Sequence, residues 1–434
     1  TGFVGQTLSF DGSGSTDGCR LRGRSTSSTS NIASPSLEKF NMRRIKTLWR
    51  HTTWLKRLPS GLILTVIFVL AVGSRVYWGT DEPHVLGRGD AYDYRHMAAS
   101  ILDGHGFSLS DDPPYQPSAR RAPGYPLFLA LVYAVLGRSD SAVLWAQSIL
   151  GGVGCLLLIR LVASIFDIYS GILSGLVVAV HPTLARLAGY SLTEAFYTVC
   201  VIGLVLAFHS ALRKSSLFFF ALTGVLFGVA TLIRPLTGAF LLFLWIGVWL
   251  WRRRLRFPVR SWLVMTALGI FTLLPWTIRN TIVFGQFIPT SVPAVGANFW
   301  QASLPFEDSP VYSWWITRTP TWKEKYPEWQ VEKLAEGETI DSVKSTILML
   351  RHERDLLRLA IARILGNPLG YLKSRMRAYP HLWLYSGGSP WLARVSFADA
   401  WLRGDLLRLT CKILFLAVFS LLPIVLAVHL LFSQ

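Results

Sequence analysis

What most constrains this chain is a series of uninterrupted apolar blocks long enough to cross a lipid bilayer. A hydrocarbon core of about 30 Å takes about 20 helical residues. Blocks at 60–78, 141–165, 172–188, 195–211, 216–233, 236–251, 261–278 and 406–431 approach or exceed that length. Inside hydrocarbon every backbone polar group must bond internally, so such blocks are helices. Composition agrees: 51% of the residues are hydrophobic and 16% are charged, where soluble domains carry about 25% charged residues. The expected fold is an all-α polytopic membrane protein with about eight transmembrane helices, an interfacial helix and exoplasmic loops.

The net charge of +18 does not require nucleic acid. Basic residues gather in short segments beside apolar blocks, at Arg43–Lys46, Lys56–Arg57, Arg213–Lys214 and Arg252–Arg260, as cytoplasmic loops do. Cys19, Cys155, Cys200 and Cys411 show no metal-ligand spacing. Residues 1–41 are rich in Ser, Thr and Gly and are expected to be disordered. Met42 opens a basic Met-Arg-Arg-Ile-Lys start, and residues 1–41 are read as outside the native frame. The last apolar block ends close to Gln434, so a further C-terminal portion is expected to be missing.

The stretch 122–137 decides the topology. As a helix it is roughly 24 Å long, short for a crossing. If it lies in the interface, the basic loops all share the side of the N-terminus; if it spans, the positive-inside rule fails repeatedly. It is therefore read as interfacial or re-entrant. The chain then divides into a core at 42–278 with a first exoplasmic loop at 79–140, an exoplasmic segment at 279–405 and a last span at 406–434. The segment 341–365 has an amphipathic helical pattern.

The ionisable residues follow this division. Asp90, Asp93, Arg120, Arg121, Arg186, Glu194, Arg234 and Arg279 fall at exoplasmic ends or loops. Polar groups at the hydrocarbon edge are costly and tend to be functional. Each has a plain structural reading beside the functional one. Asp90 could only cap a helix over Ala91–Leu102 that stops at Gly104, or it could be a general base with Asp93 one turn on. Arg120 and Arg121 could anchor headgroups or grip phosphate. Glu194 could merely favour a helix start, and Arg234 and Arg279 could snorkel. Their shared side favours a site for an anionic, membrane-resident substrate.

The arrangement resembles the polyprenyl-phosphate-sugar glycosyltransferases of the GT-C fold, a group that includes protein O-mannosyltransferases and the lipid A aminoarabinose transferase, and bacterial members above all. The matching features are the Asp90-x-x-x-Tyr94 loop, the Arg121-x-Pro-Gly-Tyr125-Pro-Leu-Phe-Leu-Ala-Leu run, Leu192-Thr193-Glu194, Arg234-Pro235 and Pro275-Trp276-x-x-Arg279-Asn280. The likeness covers roughly residues 60–300. Where the family often has an Asp-Glu pair, this chain has Asp90-Ala91, which leaves open whether Asp93 or Glu194 supplies a second carboxylate.

The resemblance implies a hexosyl- or pentosyltransferase in the bacterial cytoplasmic membrane, with its site facing the periplasm or exterior. The donor is a polyprenyl-phosphate sugar, the acceptor a lipid, glycan or protein, and no cofactor is called for. Asp90 is implied as base, with Asp93 or Glu194 assisting. Arg120, Arg121, Arg234 and Arg279 are expected to meet the donor phosphate, with Tyr94 and Tyr125 nearby. A metal site from Asp90, Asp93, His96 and His105 is conceivable but not expected. The competing classes are a transporter or flippase, disfavoured by an uncharged midplane, and a non-catalytic scaffold.

Overall fold

The computed structural model describes residues 60–80, 89–251, 259–305 and 342–384, with scattered positions beyond 305; all fall in one unit, Ser60–Gln434. The expectations for residues 1–41, Met42 and the span 406–431 lie outside the described residues.

Among the described residues the structure is mostly helical, with one isolated bridge between Ser108 and Pro117. In chain order the helices are α1 (Ser60–Thr80), α2 (Asp90–Leu102), α3 (Gly124–Leu136), α4 (Asp140–Ile165), α5 (Ile168–Val180), α6 (Pro182–Arg186), α7 (Glu194–Lys214), α8 (Leu217–Ile233), α9 (Thr237–Trp251), α10 (Val259–Phe284), α11 (Val295–Ser303), α12 (Ser342–Gly366) and α13 (Pro368–Leu384). The apolar blocks predicted within the described residues are helical. Among the described residues four helices (α1, α4, α7 and α10) are long and apolar enough to cross a membrane, or up to five spans if the bent pair α5–α6 counts as one. At 13 residues α3 is too short to cross; α8 and α9, at 17 and 15 residues, are marginal.

The block 172–188 is not one rod. It bends by 57° between α5 and the Pro182–Gly189 segment. Pro182 sits at the first helical position behind His181, where its missing N–H costs nothing. The carbonyls freed at the end of α5 are taken by α1: Ser74 donates to the Ala179 carbonyl, while Arg75 donates to it at 3.4 Å and to Val178 at 3.4 Å. Arg75 is 5% exposed, a cation placed at the negative end of a helix.

Local signals start the other helices. Ser139 caps α4 by accepting from the Ala142 amide at 3.1 Å, and Asp167 caps α5 by accepting from Tyr169 and Ser170, each at 2.9 Å. Glu194 opens α7 and Arg213 and Lys214 close it, so both ends complement the helix dipole.

The outward surfaces are apolar, with Leu62, Val66 and Val69 on α1 and Leu263, Ile270, Phe271 and Ile278 on α10 all exposed. Such surface suits lipid rather than water. Between helices, small residues permit close approach. Gly224 and Gly228 of α8 face Met265, Gly269 and Thr272 of α10, and a methyl on Gly224 would strike the Met265 carbonyl. Gly224→Val should therefore destabilise the fold by about 1–3 kcal/mol, as overpacking does. A lower thermal midpoint in detergent is the readout.

Candidate functional site

The predicted site residues other than Arg279 come from four elements that converge at one end of the bundle. α7 starts there, the adjacent α8 ends there, and the start of α3 abuts the end of α8. Gly124 makes the last approach possible, since a Cβ at that position would lie 2.9 Å from the Ile233 amide nitrogen. α2 packs on α3, which carries Asp90 and Asp93 to the same place. Basic Arg213 and Lys214 sit at the far end of α7.

Asp90 does not cap α2. Gly89 takes the N-cap position with φ of 101°, a conformation that favours glycine, and Asp90 is the first helical residue. The cap reading of Asp90 is thus replaced, and its carboxylate is released toward Arg121. Gly104, at φ 79°, does lie just past the helix end as expected.

Arg121 is the hub of the first ion cluster. Its Nη2 donates to Asp90 at 2.6 Å and its Nε to Asp93 at 2.8 Å. Arg120 approaches Asp93 at 3.4 Å. The two carboxylates differ in access: the Asp93 side chain is 12% exposed and that of Asp90 58%. Burial works against the Arg121 charge, but Asp90 and Asp93 outweigh it and hold its pKa above the ordinary arginine value.

The second cluster joins Glu194 and Arg234. Arg234 donates from Nη2 to Glu194 Oε1 at 2.5 Å and from Nε to the Thr193 hydroxyl at 2.9 Å. Its guanidinium lies over the Tyr197 ring, 5.1 Å from the centroid. Glu194 Oε2 is buried and has no hydrogen-bond partner among the described residues.

Tyr94 stands between the clusters. Arg121 lies 5.6 Å from its ring centroid, and its ring meets Tyr125 edge-on at 5.1 Å. Burial pushes the Tyr94 phenol up to about 12, and Arg121, Asp90, Glu194 and Arg234 all act on it electrostatically. It is therefore a neutral group at ordinary pH, flanked by charges of both signs.

Arg279 keeps different company. It donates to the Ser118 carbonyl at 3.1 Å and sits within 4.9 to 5.8 Å of the ring centroids of Phe107, Trp276 and Phe284. The Val292 amide donates to the Ala119 carbonyl at 2.8 Å, and Trp276 donates to the Thr290 carbonyl at 2.6 Å. The Pro275–Asn280 motif thus pins the segment that delivers Arg120 and Arg121.

His96 and His105 do not join the acids. His96 pairs with Asp111 at 2.8 Å and His105 stacks on Tyr115 at 3.5 Å. Among the described residues no group of three or more His, Cys, Asp or Glu could hold a metal ion.

Sequence reasoning missed Gln147, which is fully buried within α4. Its amide accepts from the Tyr125 hydroxyl at 3.2 Å and donates to the Ala188 and Tyr190 carbonyls at 3.1 and 2.7 Å. It ties α3 to the segment that leads into Glu194. The signal was present: a lone amide inside an apolar block. Tyr197, which lies under the Arg234 guanidinium, was missed as well, and Thr193 was read as part of a motif but not as the Arg234 partner.

Residues 120–278 match the family model for dolichyl-phosphate-mannose-protein mannosyltransferase. The likeness to GT-C-type glycosyltransferases holds over that segment, which contains Arg120, Arg121, Tyr125, Glu194 and Arg234. It supports a membrane glycosyltransferase of the mannosyltransferase type. No curated protein matches the chain.

Proposed function

We propose, from the likeness to GT-C-type glycosyltransferases over residues 120–278, that this chain transfers a sugar from a polyprenyl-phosphate donor to a hydroxyl of a lipid, glycan or protein acceptor. The reaction takes place on the exoplasmic face of a bacterial cytoplasmic membrane. The observation that carries the reading is the meeting of two arginine–carboxylate clusters at Tyr94, at one end of an apolar helix bundle.

Asp90 is the base, because its carboxylate is the accessible one of its pair. It takes the acceptor hydroxyl proton as the hydroxyl oxygen bonds to the anomeric carbon. The bond from that carbon to the phosphate oxygen breaks, and its electron pair leaves on polyprenyl phosphate. That leaving group is already a stabilised anion, so one base suffices where a glycoside hydrolase needs two carboxylates. Arg120, Arg121 and Arg234 stabilise the charge that grows on the phosphate. Asp93 holds the two loop arginines in place. Glu194 Oε2, buried without a partner among the described residues, would be satisfied by a sugar hydroxyl. Arg279 acts through position rather than contact.

A direct displacement inverts the anomeric centre. Purified protein in proteoliposomes, given donors of known anomeric configuration, should yield product of the opposite configuration by NMR. Retention would refute direct displacement, and no product from any donor with acceptor extract present would refute the transfer reading. The broken α5–α6 segment is a feature that transporters use to coordinate ions. Here Ser74 and Arg75 occupy its carbonyls, which favours a structural role for the break.

A further inference from the structure

The pair α12–α13 presents an outward face whose pattern fits a lipid surface. Its inward face is accounted for: Leu356 and Ala360 pack with Trp300 and Leu304, and Ser374 and Arg375 donate to the Leu304 carbonyl at 3.3 and 3.1 Å. On the other side Ile361 and Leu365 of α12, and Leu369, Leu372 and Met376 of α13, are exposed, Leu365 and Leu369 to 74% and 79%. The α13 residues are spaced i, i+3 and i+7 and so form one stripe.

Cations border this apolar face. Arg351, Arg354 and Arg358 lie on the α12 face that Ile361 and Leu365 continue, and Lys373 and Arg377 flank the α13 stripe; all five are exposed. The acid near them on α12, Asp355, is 3.6 Å from Arg358. Single exposed apolar residues need no explanation, but a periodic stripe edged by cations is the signature of a helix lying in the water–lipid boundary.

The fold also brings the pair to the right height. Leu350, one turn before Arg354, packs in the cluster of Val283, Phe284 and Ile288. That cluster includes the final turn of α10, a helix long and apolar enough to cross the membrane. The first half of α12 is thereby fixed beside the final turn of α10.

We infer that α12 and α13 dock on the bilayer that α10 crosses, with the apolar stripe in the acyl boundary and the flanking cations on anionic phospholipid headgroups. This surface goes beyond sugar transfer and does not depend on it. The test uses the full chain in proteoliposomes of phosphatidylcholine and phosphatidylglycerol, with Cys19, Cys155, Cys200 and Cys411 replaced by Ala. Nitroxide labels are placed singly through Leu369→Cys, Leu372→Cys, Met376→Cys and Asp355→Cys. Collisions with oxygen, which partitions into lipid, are compared with collisions with a water-soluble nickel chelate.

The oxygen-to-nickel ratio should be several-fold higher at the three stripe positions than at Asp355. It should fall in the Lys373→Glu, Arg377→Glu double variant. A label that lowers the thermal midpoint is moved to Leu365. Nickel collisions as frequent on the stripe as at Asp355 would place this face in water and overturn the inference. Protection from both reagents would mean that protein covers it, such as a second copy of the chain, and would overturn it equally. A ratio unchanged by the charge reversals would remove the anionic headgroups from the account.

Discussion

Asp90→Asn is expected to slow sugar transfer by about 10²–10⁴-fold, the usual contribution of a positioned general base. The substitution keeps the size of the side chain and leaves an oxygen to accept from Arg121 Nη2, now at 2.6 Å. What it removes is the capacity to accept a proton, so donor binding should change little and the loss should fall on kcat. Initial rates of polyprenyl phosphate release separate the two. Asp93→Asn should behave differently. The Asp93 side chain, only 12% exposed, holds both Arg120 and Arg121, and its loss should raise KM as well as lower kcat. Near-equal kcat for Asp90→Asn and the unsubstituted protein would remove Asp90 from the role of base.

Arg121→Lys should cost about 10²–10³-fold in kcat, the scale of removing one preorganised donor from a developing anion. The charge survives, but the planar fork does not. Arg121 sets Nη2 against both Asp90 and Asp93, at 2.6 and 2.8 Å, and Nε against Asp93 at 2.8 Å, whereas an ammonium on a flexible stem offers a single point. Arg120 is the informative comparison: it contacts Asp93 at 3.4 Å through one nitrogen, so Arg120→Lys should be several-fold milder. Equal losses at both positions would mean that only net charge matters, and the geometric assignment of Arg121 would fail.

The helices were legible wherever the block was long and its ends carried signals, as with α4 behind Ser139 and α7 between Glu194 and Lys214. The break in 172–188 was not read, although His181-Pro182 marks it, because apolar content alone runs straight through a bend. Crossings are harder to count than helices: the described residues hold four to five spans by length and apolarity, while the blocks at 216–233 and 236–251 form helices of 17 and 15 residues, at or below the lower end of the crossing range.

At the site, residue types and the shared end of the bundle were visible in the sequence, but the pairing was not. Asp90 and Arg121 are 31 residues apart, and nothing local distinguishes Arg121 from Arg120 or marks Gly89 as the true cap. Arg279 looked like the other arginines. Only the packing of Phe107, Trp276 and Phe284 around it, with its bond to Ser118, sets its surroundings apart from those of the two ion clusters.

The most direct measurement of the central claim is release of free polyprenyl phosphate from a panel of polyprenyl-phosphate sugars by purified protein, beside an Asp90→Asn control of equal thermal midpoint. The account predicts release from at least one donor by the unsubstituted protein and a loss of about 10²-fold or more in the control. No release from any donor, with folded protein and acceptor extract present, would contradict it.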